Sequence, residues 1–326
     1  MMKRHSIALV VKVIICLLTP ILLSFSGIGV NNIDKKKSTS KEVNDTLRIV
    51  ITGDLLLDRG VRQKIDMVGV DALFSPAIDS LFLSSNYVIA NLECPVTKIG
   101  ERVFKRFIFR GEPEWLPTLR RHGITHLNLA NNHSIDQGRR GLLDTQEQIK
   151  KAGMIPIGAG KNMEEAAEPV LISTSPRHVW VVSSLRLPLE NFLYLPQKPC
   201  VSQESIDSLI MRVKCLRATD KNCYILLLLH WGWEHHFRAT PQQREDAHKL
   251  IDAGADAIVG HHSHTLQTIE TYRGKPIYYG IGNFIFDQRK PMNSRACLVE
   301  LSITAEKCKA KALPIEIKNC TPYLSK

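Results

Sequence analysis

Along this chain, short apolar and β-branched runs alternate with amphipathic segments of helical period, and most of the runs close on a glycine or a polar residue. Residues 47–52 read LRIVIT and stop at Gly53-Asp54, which predicts a buried strand and a turn. Further strands are expected at 87–90, 126–130, 155–157, 170–172, 179–183, 224–229, 257–259 and 277–279, with two more near 296–303 and 312–317. Helices are expected at 113–123, 138–152, 163–167, 204–217 and 241–253. Gly123, Gly153 and Gly254 supply stop signals, and Thr240-Pro241 supplies a cap followed by proline at the first helical position. This alternation, without a repeat or a second linker, predicts one α/β domain over residues 47–320.

The polar residues at the strand ends change the picture from fold to chemistry. Five expected strands end in Asp54, Asn91/Glu93, Asn132/His133, His230 and His262/His264. Sites in open α/β sheets lie at the carboxyl ends of strands. Seven of the twelve histidines fall between His230 and His264. His262-x-His264, read as extended backbone, puts both imidazoles on one side, a common way to hold a divalent metal. Asp54 and Glu93 offer hard oxygen donors, Asn132 an amide oxygen, and His133 either a ligand or a general acid. Mixed nitrogen and oxygen donors suit Zn, Mn or Fe, and the absence of cysteine ligands argues against a structural zinc. Trp231 and Trp233 read as packing residues, and Lys105, Arg106 and Arg110 as a solvated basic strand face.

Composition and charge narrow the class. With 326 residues, 44% hydrophobic and 23% charged, the chain is not collagen-like, disordered or polytopic. Residues 1–30 combine a positive start with an uncharged apolar stretch at 13–30, and Ser24 and Ser26 have cleavage-site spacing, so they read as a signal peptide or membrane anchor. Residues 31–46 read as a polar linker. The net charge is +11, but Lys3, Arg4, Lys12, Lys35, Lys36, Lys37 and Lys41 lie outside the expected domain. No basic helix with interleaved aromatics follows, which argues against nucleic acid and for an anionic polymer or phosphate-type substrate. Eight cysteines without a CxxC pair give no zinc ribbon; they read as a mixture of buried thiols and one or two optional bridges.

Six motifs occur in order: Gly53-Asp-Leu-Leu-Leu-Asp-Arg59, Asn91-Leu-Glu-Cys-Pro-Val-Thr97, Leu129-Ala-Asn-Asn-His133, His230-Trp-Gly-Trp-Glu234, Gly260-His-His-Ser-His264 and Tyr279-Gly-Ile-Gly-Asn-Phe-Ile-Phe-Asp287. The series resembles the CapA family of poly-γ-glutamate capsule-synthesis proteins across residues 47–290, a family related to the calcineurin-like metallophosphoesterases. The resemblance implies an α/β fold, a four-layer α-β-β-α metallophosphoesterase-like sandwich with mixed sheets. It implies Asp54, Glu93, Asn132, His230, His262 and His264 as metal-side residues holding one or two divalent ions (Mn, Fe or Zn). His133 and Asp54 would be catalytic, with Arg59, Arg110 and Asn91 on the substrate side. It further implies a protein of the bacterial cell envelope, exported or anchored facing outward, whose partners are the anionic polymer and membrane proteins of capsule synthesis. Two departures from the phosphoesterase pattern stand out: Leu56 occupies the histidine of Asp-x-His, and Asn91-Leu-Glu93 replaces the second aspartate motif. Three functions remain open: metal-dependent synthesis or processing of the polymer, non-catalytic polymer binding within the assembly machinery, and extracytoplasmic phosphoesterase activity.

Overall fold

The computed structural model describes residues 46–325 apart from 102 and 191, so the segment expected over 1–30 and residues 31–45 of the linker lie outside the described residues. Among the described residues no helix is long and apolar enough to cross a membrane. The chain runs β1 (Leu47–Leu55), α1 (Arg59–Val68), α2 (Pro76–Leu83), β2 (Tyr87–Leu92), α3 (Leu116–Arg121), β3 (His126–Asn128), α4 (Gly138–Lys151) and β4 (Ile155–Ile157). It continues through β5 (Ala159–Gly160), α5 (Met163–Ala166), β6 (Val170–Ser173), β7 (Val179–Leu185), β8 (Cys200–Val201), α6 (Ile206–Thr219), β9 (Tyr224–His230) and α7 (Pro241–Asp252). It closes with β10 (Ala257–His261), β11 (Ile269–Tyr272), β12 (Lys275–Tyr278), β13 (Asn283–Ile285), α8 (Pro291–Ser294), β14 (Arg295–Ile303), β15 (Cys308–Lys318) and β16 (Thr321–Leu324).

Two mixed sheets face each other. One has the order β16-β15-β14-β1-β2-β3-β4, with β13 beside the end of β1; the other has the order β11-β12-β10-β9-β7-β6. β1 to β4 run parallel, as do β7, β9, β10 and β12, while β14, β11 and β6 are antiparallel to their neighbours. Strand alternation builds the layers. Tyr224, Leu226 and Leu228 point between the sheets with Ile49, Ile51, Ile89 and Val259. Ile225, Leu227 and Leu229 pack outward against α6 and α7, where Leu209, Val213, Ala247 and Leu250 meet them. Val50, Val88 and Leu127 meet Val61, Ile65, Phe82 and Leu119 of α1 to α3 on the opposite outer face. A strand apolar at every position is therefore buried on both faces, and the result is the expected α-β-β-α sandwich.

Some elements were not anticipated. α1 and α2 fill the stretch between the first two strands, where the sequence offered no clear period; α1 buries only Val61 and Ile65 along its length. Its start is fixed by Asp58, whose side chain accepts the Arg59 N–H. The seven cysteines among the described residues are all free thiols, five buried, with Cys215 and Cys308 exposed, so the expected bridges are not formed there. Trp231 is buried, but Trp233 is 62% exposed and does not pack in the core.

One irregularity aims the first strand at the site. Ile51 pairs with Ile89 and Asp54 with Asn91, so three steps on β1 oppose two on β2. This bulge returns Asp54 to the inter-sheet face that Ile51 occupies; strict alternation would send it under the helices. Gly53 makes the bulge fit. A Cβ there would lie 2.0 Å from the Gly282 carbonyl oxygen, where the loop before β13 crosses. Gly53→Ala is expected to destabilise the fold by about 3 kcal/mol through overpacking, measured by urea unfolding; wild-type stability would show that the crossing is loose.

His126 carries a pH dependence. Burial, helped by Arg120, holds its pKa down at about 4. Its Nε2 has no hydrogen-bond partner among the described residues and its Nδ1 lies 2.8 Å from Thr125 Oγ1. The unfolded chain therefore binds more protons between pH 6.5 and 4, and stability falls as pH falls through that window. Replacing His126 with Phe should flatten that acid limb by up to about 3 kcal/mol relative to wild type, read from unfolding midpoints at pH 7, 5.5 and 4.

Candidate metal centre

The carboxyl ends of β1, β2, β3, β9 and β10 meet where the two sheets face each other. Register places Asp54, Asn91 and Asn128 in one row across β1, β2 and β3. Asn128 Nδ2 donates to Asn91 Oδ1 at 2.9 Å, and Asn91 Nδ2 donates to Asp54 Oδ1 at 2.8 Å. Ser183 on β7 donates to Asn128 Oδ1, which ties the row to the second sheet. From that sheet His230 ends β9, with Nε2 2.9 Å from Asn132 Oδ1. Asn131 shapes the turn after β3: its Nδ2 donates to the Leu92 carbonyl, and its Oδ1 accepts from the His133 N–H and the Ser134 hydroxyl.

His262 and His264 reach the site differently from the extended-segment expectation. β10 ends at His261, and His262 (φ 88°) and His264 (φ 51°) both lie in the left-handed region. Their convergence comes from a strained turn rather than from strand alternation, and such backbone costs on the order of 1–3 kcal/mol per residue. Their rings are 6.3 Å apart, and the His230 and His262 rings 4.9 Å. His264 Nδ1 lies 2.9 Å from Asn283 Oδ1, an acceptor, so that nitrogen carries the proton and Nε2 is left toward Glu93 Oε1 at 3.7 Å.

The six metal-side residues are thus brought together. Ligand atoms of Glu93, His230 and His262 lie within 4.8 Å of one another, and so do those of Asp54, Glu93 and His264. Glu93 belongs to both groups. Both Glu93 oxygens, Asp54 Oδ2 and His262 Nδ1 are buried without a hydrogen-bond partner among the described residues. Unpartnered ligand atoms of this kind, in two groups that share Glu93, fit a divalent cation. The proton equilibria agree. Burial and the nearby Asp54 charge raise Glu93 well above the usual carboxylate range. Burial opposes charge on His264, yet Glu93 and Asp54 push it up to about 10. Burial and the neighbouring imidazoles hold His262 at about 3 and His230 well below its ordinary value. His264 is thus the imidazole whose charge the two acidic side chains favour.

Other expected residues fall around this core. His133 Nδ1 lies 2.8 Å from Asp136 Oδ2, so it donates to the carboxylate; its ring stacks on Phe109 at 4.3 Å. Burial lowers its pKa, with Asp136 opposing. Lys105 is buried, not solvated as expected: its Nζ pairs with Asp136 Oδ1 at 2.9 Å and donates to the Asn132 carbonyl. Arg59 stacks over Phe109 and Phe286 and is bonded to Asp287, while Phe286 packs 4.8 Å from the His264 ring. Arg110 lies apart, 40% exposed, with its guanidinium 3.8 Å from Glu112. Leu56 is fully buried in the core beneath α1 to α3. Sequence reasoning missed Asp136, Asn283, Asn293, whose Nδ2 donates to the His264 carbonyl at 2.7 Å, and the buried role of Lys105. Asp136 lies three residues after His133, and Asn283 sits inside the quoted Tyr279–Asp287 motif, so both were signalled by position alone.

The family model described as bacterial capsule synthesis protein PGA_cap matches residues 48–288. The chain is similar to the capsule biosynthesis protein CapA of Bacillus anthracis, 29% identical over 263 residues, covering 79% of this chain and 64% of that relative. It is similar to the PGA biosynthesis protein CapA of Bacillus subtilis (strain 168), 28% identical over 311 residues, covering 93% of this chain and 79% of that one. Among solved structures it superposes on a Haemophilus influenzae NAD nucleotidase with a TM-score of 0.51 at 14% identity, covering 83% of this chain and 56% of that one. That last likeness is one of fold, and the fold is metallophosphoesterase-like.

The Asn283 contact gives a test of the ligand assignment. An outer partner that fixes a ligating imidazole is worth about 10- to 100-fold in metal affinity. Asn283→Ala should weaken Mn(II) or Zn(II) binding by that factor in a chelating-dye competition, with the unfolding midpoint kept; unchanged affinity would remove His264 from the ligand set.

Proposed function

We propose that this chain, which belongs to the bacterial capsule synthesis protein family PGA_cap, acts at the cell envelope on an anionic polymer of poly-glutamate type through a divalent-metal centre. The observation that carries the reading is Glu93: a fully buried carboxylate with both oxygens unpartnered, shared by two three-residue donor groups. Asp54, Glu93 and His264 would hold one ion, and Glu93, His230 and His262, with Asn132 beside them, a second. Bound there, such ions supply Lewis-acid polarisation of a scissile carbonyl or phosphoryl group and lower the pKa of water.

The protein's own residues set up the rest. Asp136 keeps the His133 proton on Nδ1, so Nε2 is the atom that takes or returns a proton at the reacting group. Lys105 neutralises Asp136 in its buried position. Asn91 holds Asp54 with one amide hydrogen and lies 3.4 Å from His230 Nδ1, which sets the spacing between the two sheets' donors. The substrate bond would be an amide of a γ-glutamyl chain or a phosphoester. The apolar N-terminal stretch supports export or an outward-facing anchor. The net charge of +11 fits an anionic chain, and membrane proteins of capsule synthesis would be the partners.

A second reading has one specific observation in its favour. Leu56 stands in the core where the phosphoesterase pattern has an imidazole, so this centre has one donor fewer. A polymer-binding assembly role on an inherited hydrolase fold would follow if no metal is held. Elemental analysis of the full-length chain decides between them. About one to two equivalents of Mn, Fe or Zn per chain, lost in His262→Ala/His264→Ala with the fold retained, are expected. Hydrolysis or transfer of γ-glutamyl amides should vanish in the same variant. No metal in the wild type, even after soaking in divalent ions, would overturn the catalytic reading.

A further inference from the structure

A sixth strand end reaches the same edge. β7 pairs Leu185 with His230, and the Arg186 N–H donates to the His230 carbonyl at 2.9 Å. The Arg186 side chain is only 18% exposed. One of its terminal nitrogens donates to the Glu204 carbonyl, and its Nε is buried without a partner among the described residues. Asp246 lies 3.9 Å away, beyond hydrogen-bond reach, with its Oδ1 accepting from Gln242 Nε2 at 2.9 Å. A guanidinium is costly to bury when its donors are unmatched.

Arg186 lines a cavity of about 160 Å³, walled also by Trp231, Trp233, Gln242, Gln243 and Asp246. The walls are built, not incidental. Gly232 (φ 87°) presses the loop onto the first turn of α7, where a Cβ would lie 2.6 Å from the Gln243 side chain. That turn is fixed by a reciprocal cap between Thr240 and Gln243. A water occupies about 30 Å³ of liquid, so the space suits a carboxylate with two or three methylenes and is too small for a whole ligand. The planar fork of arginine matches a carboxylate with two parallel hydrogen bonds.

We propose that this cavity is a subsite in which Arg186 takes a side-chain carboxylate of an acidic chain whose neighbouring bond lies at the metal centre. The proposal rests on the reading of an acidic polymer substrate made above. It assigns to Arg186 and the Trp231–Trp233 loop the selection of a glutamyl-type unit, with Trp233 at the exposed rim.

The test is calorimetric titration of the full-length chain with glutarate, and with inorganic phosphate for comparison, before and after chelation. Wild type, Arg186→Gln and Gln242→Glu are compared, with metal content measured on each sample. Glutarate should bind the wild type with or without metal, and Arg186→Gln should weaken it by about tenfold or more. Gln242→Glu, an exposed change on the first turn of α7, adds a carboxylate at the cavity and should also weaken it; it carries the test should Arg186→Gln not fold. Equal glutarate binding in all three, no glutarate binding, or binding of phosphate alone would overturn the subsite. A metal-free protein that still binds glutarate through Arg186 would leave the subsite standing while the metal reading fails. A metal-loaded protein indifferent to glutarate refutes the subsite alone.

Discussion

Two carboxylates buried side by side between the sheets are the constraint on which the rest of this structure depends. Asp54 and Glu93 are fully excluded from solvent. Among the described residues the ion pairs they make are with histidines alone, His264 at 3.2 and 3.7 Å and His230 at 3.9 Å from Glu93. Charge removed from water must be matched. Here the match is incomplete, because Glu93 keeps both oxygens without a hydrogen bond. The chain accepts a bulge in β1, left-handed backbone at His262 and His264, and a ladder of buried asparagines, all of which bring donors to these two groups. Each of these features works against local preference, and sequences depart from local consistency mainly where function requires it.

The layers of the fold were legible because they rest on periodicity. Residues 224–229 are apolar without interruption, and that is how a strand covered on both faces reads. The site was legible because its residues sit at the ends of such strands, where an asparagine, carboxylate or histidine interrupts an apolar run. What the sequence concealed is whatever depends on phase or on distant packing. Counting alternately from Ile49 and Ile51 sends Asp54 to the wrong face, and only the pairing of Ile51 with Ile89 and Asp54 with Asn91 reveals the extra residue. His262-x-His264 suggested period two; its actual backbone is a left-handed turn that happens to bring the same two rings together. Lys105 looked like a surface charge because its partner, Asp136, lies 31 positions away across a turn. α1 was hidden because its apolar face amounts to one residue per turn, Val61 and Ile65.

The position of Leu56 bears on what kind of metal site this edge can form. Beyond the bulge, Leu55, Leu56 and Leu57 all enter the core under α1 to α3. An imidazole at position 56 would have to leave that core to ligate, so the leucine follows the local packing and the centre is built without it. The remaining donors divide into two groups of three that share Glu93. Three protein ligands with positions left open is the arrangement of catalytic sites, whereas structural sites close all four. Two groups of three would still match that arrangement without the imidazole. A bound ion would keep exchangeable positions, and Glu93 is the one side chain common to both groups. Carboxylate oxygens favour hard cations more than imidazole does, and the two groups differ in that respect: Asp54, Glu93 and His264 offer two carboxyl groups and one imidazole, whereas Glu93, His230 and His262 offer one carboxyl group and two imidazoles.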